Sequence, residues 1–96
     1  MPRINNRLLH CIGFARFCME HKCEPRDVAE LLAIAEAHKA AYERSTQDPD
    51  PRHAKRAERL SDQFDAKAQA MGFGVVWPGL WPHLTRGGRD IHLPLE

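Results

Sequence analysis

Cysteine and histidine side chains crowd into the first quarter of the chain, where they could bind a metal ion. Cys18, His21 and Cys23 lie close together, and His10 and Cys11 precede them. Thiolate and imidazole groups are the usual ligands of tetrahedral zinc. The spacing is unfavourable, because no Cys-x-x-Cys pair occurs and a helix would hold Cys11 about 10 Å from Cys18. Since cysteine also packs as a small apolar residue, we interpret these as core or incidental cysteines and predict no metal site.

A second group of candidate ligands lies near the C-terminus. His83 and His92 should face each other across a hairpin, with Asp90 diagonal to His83. Cross-strand neighbours stand close enough to share a metal ion or a proton. Trp81 and Thr85 should share this face, but they provide neither a third ligand nor a nucleophile. We interpret the two histidines as a solvent-facing or interface pair.

No motif commits the chain to a reaction. The sequence has no Gly-x-Ser-x-Gly, no Walker loop and no His-Glu-x-x-His. Gly72, Gly74 and the Gly87-Gly88 pair are better explained as turn residues than as a phosphate cradle. We therefore predict a protein that is not an enzyme and has no cofactor.

Four basic residues at helical spacing are the most prominent charged feature. They are Arg52, Lys55, Arg56 and Arg59. They fall within one arc of a predicted helix, away from its apolar stripe, so they should be exposed. Cations in the first turns oppose the helix macrodipole at about 0.3–1 kcal/mol for the worst placed. Either nearby acids (Asp48, Glu58 and Asp62) relieve a solvated face, or the face binds an acidic partner.

Nucleic acid is an alternative partner for the same basic residues. A nucleic-acid-binding domain usually combines a strongly basic balance with a recognisable motif. Here the net charge is +1. The loop predicted between the second and third helices is also too long and too rich in proline and acid for a helix-turn-helix.

Aromatic residues cluster just after the third predicted helix. Phe73, Trp77 and Trp81 lie within nine residues, with Pro78 and Pro82 among them. Tryptophan is enriched in binding hot spots, and a thin core cannot easily hide two of them. We predict one buried and one partly exposed tryptophan, with Trp81 the more exposed, and include both as candidate partner contacts.

The elements that position these residues follow from periodicity and end signals. Helices are predicted at 5–21, 25–45 and 51–71, because proline and aspartate open the second and third and Gly72 ends the third. Since a short loop joins the second and third helices, they should pack antiparallel. The apolar stripe of the first helix is Leu8, Ile12, Ala15 and Met19, with Cys11 and Cys18 on the same side and with Leu9, Phe14 and Phe17 widening the apolar surface. That of the second is Val28, Leu31, Leu32, Ala35 and Tyr42. That of the third is Ala57, Leu60, Phe64, Ala68 and Met71.

The segment 75–94 changes period and predicts a β-hairpin region. A strand candidate at 75–77 is followed by a type II turn centred on Pro78-Gly79. Strands at 80–85 and 89–93 flank Gly87-Gly88, a two-residue hairpin signal. In that register Leu84 opposes Ile91 and Pro82 opposes Leu93 on the face that covers the helices. The proline predicts an edge strand.

The bulk numbers describe an ordinary small globular protein. The 96 residues allow a single domain, 1–96, with 43% hydrophobic and 28% charged residues. No signal peptide or membrane span is recognised, and the odd cysteine count favours a reduced, cytoplasmic setting. The prediction is an α+β, mainly α fold with a long antiparallel helical hairpin.

The function predicted from these features is surface contact. We expect a non-enzymatic binding protein that regulates or inhibits a macromolecular partner, most simply a protein with an acidic surface. The alternatives are a nucleic-acid-binding regulator and a small metal-binding protein. The size and plan are typical of accessory proteins of bacteria and their phages, and the wide apolar helix faces are compatible with a homodimer.

Overall fold

Three helices precede a small antiparallel sheet in the computed structural model, which describes residues 12–93. The helices are α1 (Ile12–Glu20), α2 (Pro25–Gln47) and α3 (Pro51–Ala70). The strands are β1 (Gly74–Val76), β2 (His83–Arg86) and β3 (Arg89–Ile91). The predicted class, mainly α with a small β part, is confirmed. The predicted helical turns before Ile12, with Leu8, His10 and Cys11, lie outside the described residues.

Helix α2 extends two residues beyond its predicted end at 45. The Ser45 hydroxyl donates to the Tyr42 carbonyl at 2.6 Å, and the Thr46 hydroxyl donates to the Glu43 carbonyl at 2.7 Å. Such side chains often leave a helix, but here they bond back to its carbonyls. The helix therefore continues to Gln47.

Helix α3 has the capped ends that its sequence predicts. The Asp50 carboxylate accepts the backbone N–H of Arg52 at 3.0 Å, which satisfies a free donor of the first turn. At the other end Gly72 has a φ of 90°, and the N–H of Phe73 donates to the Ala68 carbonyl at 2.9 Å. This is a Schellman ending, which needs a left-handed residue at the glycine position.

Helix α1 ends in the same way without a glycine. The N–H of Cys23 donates to the Cys18 carbonyl at 2.9 Å, and Lys22 occupies the left-handed position with a φ of 55°. A lysine in this conformation costs about 1–2 kcal/mol relative to a right-handed one.

The core lies between the antiparallel pair α2 and α3 and is closed by α1 and the sheet. The largest fully buried side chains are Phe14, Val28, Leu31, Leu32, Phe64, Pro82 and Leu84. The predicted stripes of α2 and α3 are confirmed except at Tyr42, which is 46% exposed. Ala41 is buried at this level of α2 instead, and the tyrosine keeps part of its polar-tipped ring in solvent.

The predicted buried face of α1 is wrong at Ile12, Ala15 and Met19, which are exposed. Ile12 is 74% and Met19 is 80% exposed, whereas Phe14, Phe17 and Cys18 are buried. Both sides of this helix are apolar, so periodicity alone could not choose between them. The side with two phenylalanines removes more apolar area from water and is the one that packs.

The sheet has the strand order β1-β2-β3, so β2 is its central strand. The predicted pairing of Leu84 with Ile91 is confirmed, and Gly87 and Gly88 have the positive φ angles, 60° and 78°, of a type I′ turn. The other flank of β2 pairs with β1, which starts and ends one residue earlier than predicted. The type II turn is not formed, because Gly79 is not among the glycines with positive φ.

The prediction of an edge strand from Pro82 is also wrong. The ladder of β2 begins at His83, so the proline precedes it and its missing N–H removes no ladder hydrogen bond. Pro82, Leu84 and Leu93 are all buried, which confirms that this side of the hairpin covers the helices. The ladder ends at Ile91, before the predicted pairing of Pro82 with Leu93.

Arg86 ties the end of β2 to the ends of two helices. Its guanidinium donates to the His21 carbonyl at 3.3 Å and to the Met71 carbonyl at 3.2 Å, and lies 4.0 Å from the ring centre of Phe73. A cation is favourable at a helix C-terminus, where unpaired carbonyls point outward. One side chain thus caps α1 and α3 together.

Lys67 joins the beginning of α2 to the last turns of α3. Its ammonium nitrogen lies 2.8 Å from a carboxylate oxygen of Asp27 and 2.9 Å from one of Glu30. These hydrogen bonds raise the pKa of Lys67 above its ordinary value of 10.5.

Within residues 12–93, no helix has both the length and the apolar character to cross a bilayer.

Candidate functional site

The basic face consists of Arg52, Lys55, Arg56 and Arg59 on the first half of α3. All four residues are exposed, as their angular distance from the buried stripe predicts. Pro51 and the Asp50 cap fix where the helix starts, and 1.5 Å of rise per residue then spreads the four cations over about 10 Å. The outer surface of α3 therefore carries a short row of positive charge.

Within residues 12–93, one residue of the basic face has a carboxylate partner. The Arg52 guanidinium donates to Asp50 with a shortest N–O distance of 2.7 Å. The hydrogen bonds from Arg52 lower the pKa of the Asp50 carboxyl, and the same contact raises the pKa of the guanidinium. The other three cations make no ion pair with any residue in the range 12–93.

The acids expected to relieve the basic face do not pair with it. Asp48 instead lies 3.3 Å from the imidazole of His53. Glu58 and Asp62 border the same shallow depression of about 620 Å³ as part of the basic face, but neither forms an ion pair with a described cation. Among the described residues, the depression therefore presents unpaired charges of both signs in equal number, Lys55 and Arg59 against Glu58 and Asp62, because Arg52 is paired with Asp50.

Trp77 is held between the two long helices. Its indole N–H donates to Asp65 at 2.8 Å, and its ring centre lies 4.6 Å from that of His38 and 5.6 Å from that of Phe64. These contacts account for Trp77 at this position, because its ring packs against other rings and its indole N–H has an acceptor. Its role as a partner contact stays a prediction.

Trp81 lines a groove along the outer side of α2. Leu80 and Trp81 form one wall and Glu36, Ala40 and Glu43 part of the other, enclosing about 560 Å³. Trp81 is half-buried, which agrees with its predicted partial exposure, but Trp77 is also half-buried, so the prediction of one buried tryptophan is wrong. The strand parity used for Trp81 does not apply, because β2 starts only at His83. This groove and the depression on α3 share no lining residue.

His38 is a buried polar residue that the sequence interpretation missed. It is 7% exposed, and its Nδ1 has no hydrogen-bond partner among the described residues. A signal was available, because His38 follows Leu31 by seven residues and so continues the buried stripe of α2. Its contact with Trp77 makes it part of the aromatic packing under the sheet.

The N-terminal thiols pack as apolar groups. Cys18 is buried and Cys23 half-buried, and both are free thiols. The Cys23 thiol donates to the His21 carbonyl at 3.4 Å, while the His21 ring centre lies 4.6 Å from that of Phe17. Burial raises the pKa of both thiols, which disfavours the thiolate that a metal or an electrophile requires.

The hairpin brings His83 and His92 together as predicted. Their ring centres are 4.5 Å apart with an angle of 71° between the ring planes. Asp90 pairs with Thr85, two ladder positions from the level of the two histidines, so strand alternation places Asp90 on the same face as they are. Within residues 12–93, no three or more His, Cys, Asp or Glu side chains converge on one metal position.

Comparisons of the chain with known proteins give no relative. No family model, curated protein or solved structure matches it.

Proposed function

We propose that this protein is a non-enzymatic binding protein that regulates or inhibits a macromolecular partner, and that its basic face binds an acidic protein surface. The observation that carries the proposal is the set of three exposed cations, Lys55, Arg56 and Arg59, without an ion-pair partner in the range 12–93. A carboxylate-rich partner would supply the ion pairs that these three cations do not make within residues 12–93.

The position of these cations supports the proposal. They occupy the first half of α3, where the helix macrodipole already carries positive partial charge. Neutral residues at these positions would therefore stabilise the helix at least as well. A partner carboxylate placed over this region would interact favourably with the side chains and with the dipole. Exposed charges of this kind mainly accelerate association and select the partner.

The surroundings favour a protein over a nucleic acid. Glu58 and Asp62 border the same depression as the cations, and they would repel a continuous phosphate backbone. A protein surface can place a positive group opposite each of them. The net charge of +1 also leaves little of the long-range attraction that drives nucleic-acid binding.

Location and assembly belong to the same proposal. Free thiols at Cys18 and Cys23 persist in a reducing compartment such as the cytoplasm. A homodimer remains compatible with the apolar residues that stay exposed on α1. The alanine-lined sides of α2 and α3, however, already pack against each other.

The test compares two triple charge reversals. One replaces Lys55, Arg56 and Arg59 by glutamate. The matched control replaces Arg16, Lys22 and Arg26, which are equally exposed and have no ion pair with a described residue. Each tagged protein is used to capture partners from lysate of the native cell with and without nuclease treatment, and each captured protein is purified and its affinity measured by titration.

We expect a partner that binds the wild type and the control with similar affinity and the α3 variant at least about tenfold more weakly, with an affinity that decreases as salt is added. Equal binding by all three proteins would exclude the basic face. If nuclease treatment removes all of the captured material, the partner is a nucleic acid and not a protein.

A further inference from the structure

The paired histidines of the hairpin stand at a separation that matches metal coordination. In metal sites an imidazole nitrogen lies about 2.0–2.1 Å from the ion, which puts each ring centre roughly 3.2 Å from it. Two such rings at a right angle around one ion then have centres about 4.5 Å apart, and at a tetrahedral angle about 5.2 Å apart. The observed separation of the His83 and His92 ring centres is 4.5 Å.

We propose that His83 and His92 form a two-histidine site for a divalent transition metal, with water or a partner group completing the coordination. Imidazole suits Cu²⁺, Ni²⁺ and Zn²⁺, and copper generally binds a given nitrogen site most tightly of the three. The proposal is independent of the basic face, since neither histidine lines the depression on α3.

One carboxylate shares this face of the hairpin with the two histidines. Asp90 lies on the same side of the sheet as the two histidines, on the diagonal from His83, at a cross-strand distance of about 7–8 Å. It can therefore act through a water molecule, as second-shell carboxylates do. Arg86 and Arg89 form a ladder pair of opposite parity to the two histidines, but both also border a depression that Asp90 and His92 line.

The hairpin also makes the pair suited to holding an ion. The type I′ turn at Gly87-Gly88 fixes the register of β2 and β3, and His83 lies in the central strand. The separation of the two rings is thus set mainly by backbone pairing, which reduces the ordering needed on binding. A bound ion would bridge β2 and the residue that follows β3, and so stabilise the hairpin.

The test is a titration with NiCl₂, in which binding is measured by calorimetry and by changes in the imidazole signals of NMR spectra. His92→Phe keeps an aromatic ring against His83 but removes the nitrogen ligand, and His92 is exposed, so this variant should fold. The matched control, His53→Phe, changes a histidine on α3. A parallel titration of the wild type with CuCl₂ and ZnCl₂ should give the tightest binding for copper.

We expect one Ni²⁺ per wild-type chain, with changes at the His83 and His92 signals and a higher melting temperature. The His53 variant should bind equally, and the His92 variant should bind at least about 10–100-fold more weakly, the loss typical of disturbing even a second-shell group. Unchanged binding by His92→Phe, no binding to the wild type at millimolar Ni²⁺, or one ion per two chains would each overturn the proposal.

Discussion

A single missing side chain allows β1 to pair closely with β2, and its effect can be worked out in advance. A Cβ atom added to Gly74 would lie 2.4 Å from the hydroxyl oxygen of Thr85, far inside van der Waals contact. The next nearest atoms, also of Thr85, are 3.8 Å away. One oxygen atom is therefore the whole steric obstacle. Gly74 does not have a positive φ, so its backbone conformation is open to alanine.

The two contributions to Gly74→Ala have opposite signs. Forcing a side chain into this contact, or moving Thr85 off its rotamer, costs about 1–3 kcal/mol, and a β-branched residue cannot easily turn away. Replacing glycine by alanine at a compatible site stabilises by about 0.4–1 kcal/mol. We expect Gly74→Ala to destabilise the wild type by about 1–2 kcal/mol. In a Thr85→Ala background the same change should stabilise by about 0.5 kcal/mol or more.

Urea unfolding followed by circular dichroism measures both differences as a double-mutant cycle. The matched control is Gly79→Ala, because a Cβ at Gly79 meets nothing within 4 Å and its φ is not positive. This change should be neutral or stabilising in both backgrounds. The reasoning is refuted if Gly74→Ala destabilises the Thr85→Ala protein as much as it does the wild type.

Three further predictions concern the helix ends. Lys22→Gly should stabilise the protein by about 1 kcal/mol, because glycine adopts the left-handed conformation at the end of α1 without strain; a lower melting temperature would contradict this. Arg86→Lys should lower the melting temperature by roughly 4–8 °C, about 1 kcal/mol, since one ammonium cannot reach the carbonyls of both helix ends. Lys67→Met should reduce stability at neutral pH by about 1 kcal/mol. Because the pKa of Lys67 is raised in the folded protein, its contribution is fully present below the ordinary value of 10.5 and is lost as pH rises through the folded pKa. Urea midpoints of both proteins should therefore converge in strongly alkaline buffer, and a constant difference would contradict the assignment.

The helical hairpin could be predicted because its signals are local. Proline at the first position of α2 and α3, the Asp50 cap and the left-handed Gly72 each act within a few residues of the boundary they define. The hairpin register followed from Gly87-Gly88 for the same reason, and with it the meeting of the two histidines. The exposure of the basic face required only the angular step of a helix.

The features that sequence reasoning missed depend on non-local contacts. The buried face of α1 was decided by how well Phe14 and Phe17 fill the space against α2, a matter of shape that periodicity does not contain. The pairing of β1 with β2 was missed, because it depends on the chain returning after β1 so that β2 lies beside it. The exposure of Trp81 was predicted from strand alternation, but Trp81 precedes the start of β2, where that alternation does not apply.

The Arg86 contact places a constraint on the order of events during synthesis. The guanidinium that caps α1 is 65 residues away from the carbonyl it binds. While the nascent chain leaves the ribosome, α2 and α3 can pair through contacts between neighbouring elements, but the end of α1 still lacks its cap. Its final attachment therefore waits until β2 has emerged, so that contacts of long sequence separation form last. Until then α1 packs against α2 without the tie that Arg86 provides between the end of α1 and the sheet.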